Sequence, residues 1–420
     1  MNFLYSFFLL PILIVFLHLV SLFSKKLRRP IYSRNRILKD IAELKPIYSA
    51  SGKKTFIIHT ASMGEFEHVK PIIKKLKEKF NRNIIVTFFS PSGYENVKDY
   101  PGIDHIFYLP YDFQWLWRKF YKAVNCELLI VSKHDVWPNQ VKTAKKLGMQ
   151  TILLNASLSA QSSRKSFLAK AILSSAYQTL DKIFVISQQD NEQIVNTFSC
   201  KNTEVVGDTK FDQVLIRKEA AEKQQLLNLD WISEKTILVF GSLWPQDAEH
   251  VLSSLSDLLD KNTNLKTIIV PHQPTGEIIS KFVAHFGEYG YGLFSQKTNP
   301  ENRILIVDKI GLLADMYKHA DIAYVGGSFK QGIHNVLEPA IYNIPVIYGP
   351  VYKNSFEAKQ LYKKGGSSIV NNSEEFSREI QALLNDESLR KLKGQKAKKY
   401  ATQNIGSTSK ILEYIGHAIQ

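Results

Sequence analysis

The chain begins with a long apolar segment. Residues 3–23 are almost entirely apolar, and the exceptions are two serines, Pro11 and His18. About 20 such residues in a helix are enough to cross a hydrocarbon core of about 30 Å. No charged residue precedes the segment and no small-residue cleavage site follows it, which favours a retained anchor over a cleaved signal peptide. We therefore predict that residues 1–24 are a membrane anchor; the alternative is a buried helix of a soluble core.

Basic residues follow this segment directly. Six lysines and arginines fall within residues 25–36. Positive residues beside a membrane span tend to stay in the cytoplasm, which predicts that the N-terminus faces out. Such residues also gain from anionic headgroups, so an anionic membrane surface is an expected partner.

From residue 55 onward, short apolar runs alternate with amphipathic helices. The run 55–60 precedes a helix pattern over 65–80, in which apolar residues recur at helical spacing. Continuous apolar runs are typical of strands buried on both faces of a parallel sheet. Ten strands are predicted, at 55–60, 83–90, 128–135, 150–157, 182–188, 236–242, 266–272, 304–309, 322–328 and 345–350. The fold class is therefore α/β, built from βαβ units.

The strands form two series, separated by a polar segment at 208–230 that we interpret as a linker. This predicts an N-terminal Rossmann-like domain over 25–207 and a second over 231–420, facing each other across a cleft. Parallel sheets bind ligands at the carboxyl ends of their strands, so functional residues are expected in the loops that follow the strands.

Composition narrows the class of protein. The 420 residues include 54 Lys+Arg and 39 Asp+Glu, for a net charge of +15, and 44% are hydrophobic. This excludes a disordered chain, a collagen-like repeat and a coiled-coil rod. Two cysteines cannot form a disulfide framework, and no Cys/His cluster suggests zinc. The positive charge predicts an anionic partner: nucleic acid, an anionic membrane, or a phosphorylated or carboxylated substrate.

Two strand-end segments of the first domain carry candidate catalytic residues. Ser62 and Gly64 lie where a helix begins after the strand 55–60, and helix amides favour anions. Glu65 follows; it can act as a general base or merely complement the helix dipole. Lys133 and Asp135 come directly after the apolar run 128–132, where charged residues suit a binding site or a salt-bridged loop.

A glycine-rich segment, VGGSFKQGIHNVLEPA (325–340), marks the second domain. Its amides could hold a phosphate, and Glu338, on one helix face with Asn335, could accept hydrogen bonds from ribose. Ser242 and His272 follow two other strands and suit a phosphate or sugar, or an ordinary turn. The pattern is neither GxxxxGK[ST] nor GxGxxG, which disfavours kinases, GTPases and dehydrogenases. A nucleotide-type donor site is predicted here.

Together these motifs resemble those of the 3-deoxy-D-manno-octulosonic acid (Kdo) transferases, membrane-anchored glycosyltransferases of the GT-B class. The resemblance covers almost the whole chain. Besides the anchor and the glycine-rich segment, it rests on HTASMGE (59–65), YLPYD (108–112), DVWPN (135–139), NASLS (155–159), VVGDTKFD (205–212), GSLWP (241–245) and YGPVYKNSFE (348–357). It implies a GT-B fold and the transfer of Kdo from CMP-Kdo to a lipid A precursor, lipid IVA. This step of lipopolysaccharide biosynthesis occurs at the cytoplasmic face of the inner membrane.

The resemblance also implies roles for matching residues. Glu65 corresponds to the general base of an inverting reaction that needs no metal or other cofactor, and Asp135 is the second catalytic candidate. Acceptor binding falls to Ser62, Gly64 and Lys133. Donor binding falls to Ser242, His272, Gly326, Gly327, Ser328, Gly332, His334, Asn335 and Glu338. Lys133 and Asp135 replace two glutamates common in the family, and Ser157 replaces an arginine, so the acceptor structure and the number of Kdo units stay open.

Two other functions remain alternatives. One is another GT-B glycosyltransferase that uses a UDP-sugar on a membrane lipid. The other is a non-catalytic, membrane-tethered protein that binds nucleic acid or lipid. No nucleic-acid-binding motif accompanies the positive charge, so no nucleic-acid partner is expected.

Overall fold

The computed structural model describes residues 2–296 and 299–419. The chain divides into a first unit, residues 2–213 with 406–419, and a second unit, residues 214–405. Two features differ from the predicted boundaries. The predicted linker contains a helix, Lys210–Glu222. The last residues belong to the first unit, where Asp212 accepts hydrogen bonds from the amides of Gly406 (2.7 Å) and Thr408 (2.9 Å).

The first unit is built on a parallel sheet of seven strands in the order β3-β2-β1-β4-β5-β6-β7. The register aligns Thr55 with Asn83 on one side of β1 and Ile58 with Ile130 on the other. The strands are β1 Thr55–Thr60, β2 Asn83–Phe88, β3 His105–Tyr108, β4 Cys126–Ser132, β5 Gln150–Ala156, β6 Lys182–Val185 and β7 Thr203–Val205.

Helices cover both faces of this sheet. A π-helical turn, Tyr5–Leu9, joins the first two helices, and a 3-10 turn covers Ser163–Lys165. The helices are α1 Asn2–Leu4, α2 Leu10–Phe23, α3 Lys25–Ser51, α4 Met63–Lys79, α5 Pro91–Asn96, α6 Gln114–Ala123, α7 Pro138–Lys146, α8 Phe167–Thr179 and α9 Gln188–Phe198. Helix α10, Lys210–Glu222, begins in the first unit and continues into the second.

The core explains the uninterrupted apolar runs. Successive residues of a strand point to opposite faces of the sheet. Ile57 therefore packs in a cluster with Trp117, while Ile58 packs with Phe66 on the other face. Both faces are buried, so no polar alternation remains.

The second unit has its own parallel sheet of seven strands, in the order β10-β11-β9-β8-β12-β13-β14. A 3-10 turn covers Gly287–Tyr289. The strands are β8 Thr236–Leu243, β9 Leu265–Pro271, β10 Tyr291–Leu293, β11 Ile304–Ile306, β12 Ile322–Val325, β13 Val346–Tyr348 and β14 Ser367–Ile369. The helices are α11 Leu229–Ile232, α12 Pro245–Val251, α13 Ser253–Lys261, α14 Gly276–Phe286, α15 Leu313–Tyr317, α16 Leu337–Ala340, α17 Phe356–Lys363, α18 Ser373–Asn385 and α19 Glu387–Gln403.

The final helix, α20 (Ser407–Ala418), returns to the first unit. Its Ile411 and Ile415 are buried in the same apolar cluster as Val69 and Ile72 of α4. This burial, with the hydrogen bonds of Asp212, accounts for the placement of the C-terminal residues.

Each sheet has a central point at which the strand order reverses. In the first unit this point lies between β1 and β4, and in the second between β8 and β12. Crevices form at such points beyond the carboxyl ends of the strands. The loops after these four strands contain most of the predicted site residues.

One helical segment of the described chain, Tyr5–Phe23, is long and apolar enough to cross a membrane by length and composition. This agrees with the predicted N-terminal apolar helix. By itself it is weak evidence for an anchor, because core helices and signal sequences have the same property.

Candidate active site

Glu65 lies in the first turn of α4, directly after β1. The residue is 8% exposed, and its Oε2 accepts a hydrogen bond from the Ala61 amide at 2.7 Å. Burial raises the pKa of Glu65; the Ala61 hydrogen bond opposes this and the charge of Asp135 adds to it, leaving a net rise. The side chain is thus an oriented carboxylate with enhanced affinity for a proton.

His59 links the loop after β4 to the sheet. Its Nε2 lies 2.9 Å from Asp135 Oδ2, and its Nδ1 lies 3.0 Å from Thr87 Oγ1. A carboxylate only accepts hydrogen bonds, so His59 donates through Nε2. Burial alone would raise the pKa of Asp135, but His59, Trp137 and the charge of Arg164 together outweigh burial and hold the pKa below its ordinary value. Asp135 therefore stays ionised near Glu65.

His134 faces the free side of the Glu65 carboxylate, with 3.9 Å between His134 Nε2 and Glu65 Oε1. Burial lowers the pKa of His134 to about 4, and the charges of Arg164 and Lys133 act in the same direction. The imidazole is consequently neutral at pH 7, and the contact is not a pairing of two full charges. Lys133 has a left-handed backbone with φ of 59°.

Ser62 and Gly64 border the start of α4 without supporting its packing. The Ser62 side chain makes no capping hydrogen bond. A Cβ added to Gly64 would meet nothing closer than Ser62 Oγ at 3.8 Å. Packing leaves both positions open to an acceptor, and their acceptor role stays a prediction.

A buried carboxylate fixes the glycine-rich turn after β12. Asp247 is fully buried and accepts hydrogen bonds from the amides of Gly327 (2.6 Å) and Ser328 (3.1 Å). The amide of Trp244 (3.2 Å) and the hydroxyl of Tyr324 (3.1 Å) donate to the same carboxylate. The expectation that the Gly327 and Ser328 amides bind phosphate is therefore corrected, because Asp247 already occupies them.

Ser328 itself lies in the interior. It is fully buried, and its Oγ donates to Val325 O at 3.1 Å and accepts from the Gly349 amide at 2.7 Å. The Ser328 side chain thus joins the turn after β12 to the loop after β13. This differs from the prediction that Ser328 contacts the sugar-nucleotide donor.

The glycines of the turn are required by close packing. A Cβ on Gly326 would lie 2.3 Å from Ser242 O, and one on Gly327 would lie 2.5 Å from Gly332 O. Gly327 and Gly332 also have φ of 80° and 99°, in the left-handed region that glycine adopts readily. These residues bring His334 and Asn335 beside β8.

Three aromatic rings stack next to the turn. The rings of Trp244 and His272 have centroids 4.0 Å apart, and those of His272 and His334 are 4.7 Å apart. Trp244 Nε1 donates to His334 Nε2 at 2.8 Å. Burial lowers the pKa of His334 to about 4 and also lowers that of His272. His334 is therefore neutral with its proton on Nδ1, which remains a hydrogen-bond donor.

A cavity of about 410 Å³ lies at the strand reversal of the second unit, and its wall includes Ser242, His334, Asn335 and Glu338. This volume is in the range of small-ligand pockets. Ser242 has φ of 51° at a bulge in β8, which turns the chain at the cavity wall.

A partly buried ion pair between Arg217 and Glu338 lines this cavity. Glu338 is 6% exposed, and its Oε1 accepts hydrogen bonds from Arg217 and, at 3.3 Å, from Asn335 Nδ2. Carboxylate, amide and hydroxyl groups in one pocket suit a ligand rich in hydroxyls. The structure brings Ser242, His334, Asn335 and Glu338 to one cavity, and His272 stacks against His334. Their role in donor binding stays a prediction.

Several residues of these sites escaped sequence analysis. Arg217 belongs to the predicted linker, and nothing in its neighbours marks it. Asp247 and Trp244 lie in GSLWPQD, but their partners are about 80 to 90 residues away. Arg164 lies in a basic stretch after NASLS, and its connection to the site is that its positive charge lowers the pKa values of His134 and Asp135. In the described residues, no group of three or more potential ligands is placed to hold a metal ion.

Comparisons with known proteins match both sequence and fold. A family model described as 3-deoxy-D-manno-octulosonic-acid transferase matches residues 35–213. The 3-deoxy-D-manno-octulosonic acid transferase of Aquifex aeolicus is 30% identical, over 80% of this chain and 90% of the relative. That of Haemophilus influenzae is 27% identical, over 96% of this chain and 95% of the relative.

Solved structures show the same architecture. The UDP-GlcNAc 2-epimerase of Neisseria meningitidis has a TM-score of 0.62 at 12% identity, covering 86% of this chain and 99% of its own. A glycosyltransferase of Rickettsia africae has a TM-score of 0.55 at 12% identity, covering 88% and 99%. At such identities the likeness shows the fold alone, which is the predicted GT-B type with two Rossmann-like domains.

Proposed function

The chain belongs to the 3-deoxy-D-manno-octulosonic acid transferase family of glycosyltransferases, and from this premise we propose that it transfers Kdo from CMP-Kdo to lipid IVA, a lipid A precursor. The names of its relatives support the transferred sugar. The donor nucleotide and the lipid acceptor are what the family resemblance implies. The reaction would then be a step of lipopolysaccharide biosynthesis, and it would take place at the cytoplasmic face of the inner membrane.

The observation that carries the proposal is the oriented carboxylate of Glu65. The Ala61 amide fixes one oxygen, and burial raises its pKa. In the proposed reaction Glu65 removes the proton of an acceptor hydroxyl, and the resulting oxygen attacks the anomeric carbon of Kdo. The bond from that carbon to the CMP phosphate oxygen breaks, so CMP leaves and the configuration inverts.

Asp135 supports this role from a distance. It is held ionised by His59, and its negative charge helps to raise the pKa of Glu65. We assign Asp135 to positioning and tuning, and assign Ser62, Gly64 and Lys133 to the acceptor side.

The cavity of the second unit is the proposed CMP-Kdo site. Glu338 and Asn335 offer acceptors and a donor for ribose hydroxyls, and Nδ1–H of His334 offers a neutral donor for phosphate. Arg217 beside Glu338 adds a positive charge for an anionic sugar nucleotide.

The test is an assay of full-length protein in membranes with CMP-Kdo and lipid IVA, with products read by mass. Glu65→Gln keeps the size of the side chain, and we expect turnover to fall roughly 10²–10⁴-fold with CMP binding unchanged. Glu67→Gln is the matched control, because Glu67 lies on the same helix and pairs with Lys70 at 2.5 Å. No mass gain of Kdo with the unchanged chain, or full activity of Glu65→Gln, would contradict the proposal.

A thermal-unfolding assay separates this donor from a UDP-sugar. A ligand that binds only the folded state raises its stability. We expect CMP to raise the melting temperature and UDP to leave it unchanged. Stabilisation by UDP alone would favour the alternative glycosyltransferase.

A further inference from the structure

The N-terminal apolar helix is fastened to the first unit at its beginning. The Tyr5 hydroxyl donates to Asp112 Oδ2 at 2.8 Å. Asp112 is buried, and it also accepts from Trp117 Nε1 (2.9 Å) and from the amides of Asn139 (3.0 Å) and Gln140 (2.8 Å). A carboxylate with so many donors inside the unit is a fixed point of its interior.

The next residue makes a second contact. The Asn139 side chain donates to Ser6 Oγ at 2.9 Å and to the Asp112 carbonyl at 2.6 Å. Two consecutive residues of the apolar helix are therefore bonded to the loop before α6, through Asp112, and to the beginning of α7, through Asn139.

The end of the apolar segment is fastened to the same unit through α3. Arg34, which is buried, donates to Leu109 O at 3.0 Å and to Phe89 O at 2.8 Å. Arg29 pairs with Glu95 at 2.7 Å. Ile37, Ile41 and Tyr48 of α3 complete the attachment by packing into the core of the unit.

The polar interruptions of the apolar segment all lie on the attached face. Ser6, Pro11 and His18 are half-buried, and Ser21 is buried. His18 Nε2 contacts Asn35 Nδ2 of α3 at 3.3 Å.

The opposite face carries only large apolar side chains. They extend along the entire helix, with Phe7 66%, Phe16 59% and Phe23 90% exposed. The exposed set is Phe3, Leu4, Phe7, Phe8, Leu9, Ile12, Leu13, Val15, Phe16, Leu19, Leu22 and Phe23.

A perpendicular crossing conflicts with these contacts. Residues 5–23 of a helix extend about 28 Å at 1.5 Å per residue, which is close to the hydrocarbon thickness. A spanning helix would place Tyr5 and Phe23 on opposite sides of the membrane. Tyr5 is hydrogen-bonded to the first unit, and α3, which starts two residues after Phe23, packs against the same unit. A spanning helix would therefore require one folded unit to lie on both sides of the membrane.

We propose that the helix lies parallel to the membrane surface, with its apolar face immersed in one leaflet and its N-terminus on the same side as the catalytic units. This replaces the expectation that the N-terminus faces out. The occupant of the apolar face is a leaflet with anionic headgroups, because α3, the helix that directly follows the apolar segment, carries the exposed basic residues Arg28, Arg29, Arg36 and Lys39. The proposal concerns attachment and does not depend on the sugar transferred.

Topology can be tested with the full chain carrying different epitope tags at its two ends. Protease is added to spheroplasts or to inverted inner-membrane vesicles, and each tag is followed by immunoblot. We expect both tags to be lost from inverted vesicles and both to survive in spheroplasts. Loss of only the N-terminal tag from spheroplasts would overturn the proposal, as would recovery of the chain in the soluble fraction as a dimer.

Depth is the second measurement. Cys126 and Cys200 are the free cysteines and are first replaced by serine. Spin labels are then placed singly at Phe8, Phe16 and Phe23, which are exposed along the helix. In vesicles containing anionic lipid, we expect similar, shallow depths for all three labels. A label at residue 16 near the bilayer centre with shallow labels at 8 and 23 would show a spanning helix and overturn the proposal.

Discussion

Removing the charge of Asp247 should loosen the glycine-rich turn of the second unit. Asp247→Asn keeps the shape of the side chain but replaces one carboxylate oxygen by an NH2 group. Each oxygen accepts from at least two buried donors: Oδ2 from the Gly327 and Trp244 amides, and Oδ1 from the Ser328 amide and Tyr324. Whichever oxygen is lost, at least two donors lose their acceptor and face another donor.

The magnitude follows from the cost of stranded donors. A buried donor without a partner costs about 1–3 kcal/mol, so two cost about 2–6 kcal/mol. Burial outweighs the hydrogen bonds and raises the pKa of Asp247, so the charge itself carries a desolvation cost that asparagine avoids. Asp247→Asn should therefore lower the free energy of unfolding by about 2–4 kcal/mol, the lower half of that range.

The assay is chemical unfolding of the full chain, followed by calorimetric titration with CMP. We expect Asp247→Asn to unfold at lower urea and to bind CMP more weakly, because the turn positions His334 and Asn335. Glu249→Gln is the matched control, since Glu249 lies on the same helix and is exposed. Equal unfolding and equal CMP affinity for both variants would refute the claim that this carboxylate holds the turn.

Three further predictions concern packing, pH and metal. Gly326→Ala should lower the free energy of unfolding in urea by about 1–3 kcal/mol or more, because its Cβ would lie 2.3 Å from Ser242 O. Gly64→Ala should leave the free energy of unfolding unchanged, because its Cβ would have no atom closer than 3.8 Å. Equal losses for the two variants would contradict this packing argument. Burial raises the pKa of Asp112 to about 7 against its hydrogen bonds, so the folded state keeps a proton that the unfolded chain releases at about pH 4. The free energy of unfolding of the unchanged protein should thus fall as pH rises from about 4 to 7, and that of Asp112→Asn should fall less. The same pH dependence in both proteins would contradict the raised pKa of Asp112. Dialysis against EDTA should leave Kdo transfer unchanged, and a loss restored by a divalent cation would contradict the metal-independent mechanism.

The strands that the sequence predicts are the interior strands of the two sheets. All ten predicted runs correspond to strands of the structure, and β1 agrees in both limits. The strands without a prediction are β3, β7, β10 and β14, which are the four sheet edges. An edge strand is short and partly exposed, as in the three residues of β7, so no continuous apolar run marks it.

The site was predictable in position more than in detail. Glu65, Asp135 and the glycine-rich turn all lie at the reversals of strand order, because parallel strands present their carboxyl ends at one edge. The bonds of the turn were not predictable. The Gly327 amide meets Asp247 across 80 residues, and only the pairing of β8 with β12 brings them together.

The loop after β4 connects the two proposals. In the loop Asp135 bonds His59 near Glu65, and directly after the loop, in the first turn of α7, Asn139 bonds both Asp112 and Ser6 of the apolar helix. The motifs YLPYD and DVWPN, which carried the family resemblance, meet in this network. On the proposed function, a lipid acceptor reaches Glu65 from the leaflet that holds the helix. The residue that bonds His59 and the residue that bonds Ser6 are only four positions apart in the chain. A helix lying in the membrane surface therefore keeps Glu65 at a fixed distance from that leaflet. A helix joined to the unit only by a flexible linker would not do so.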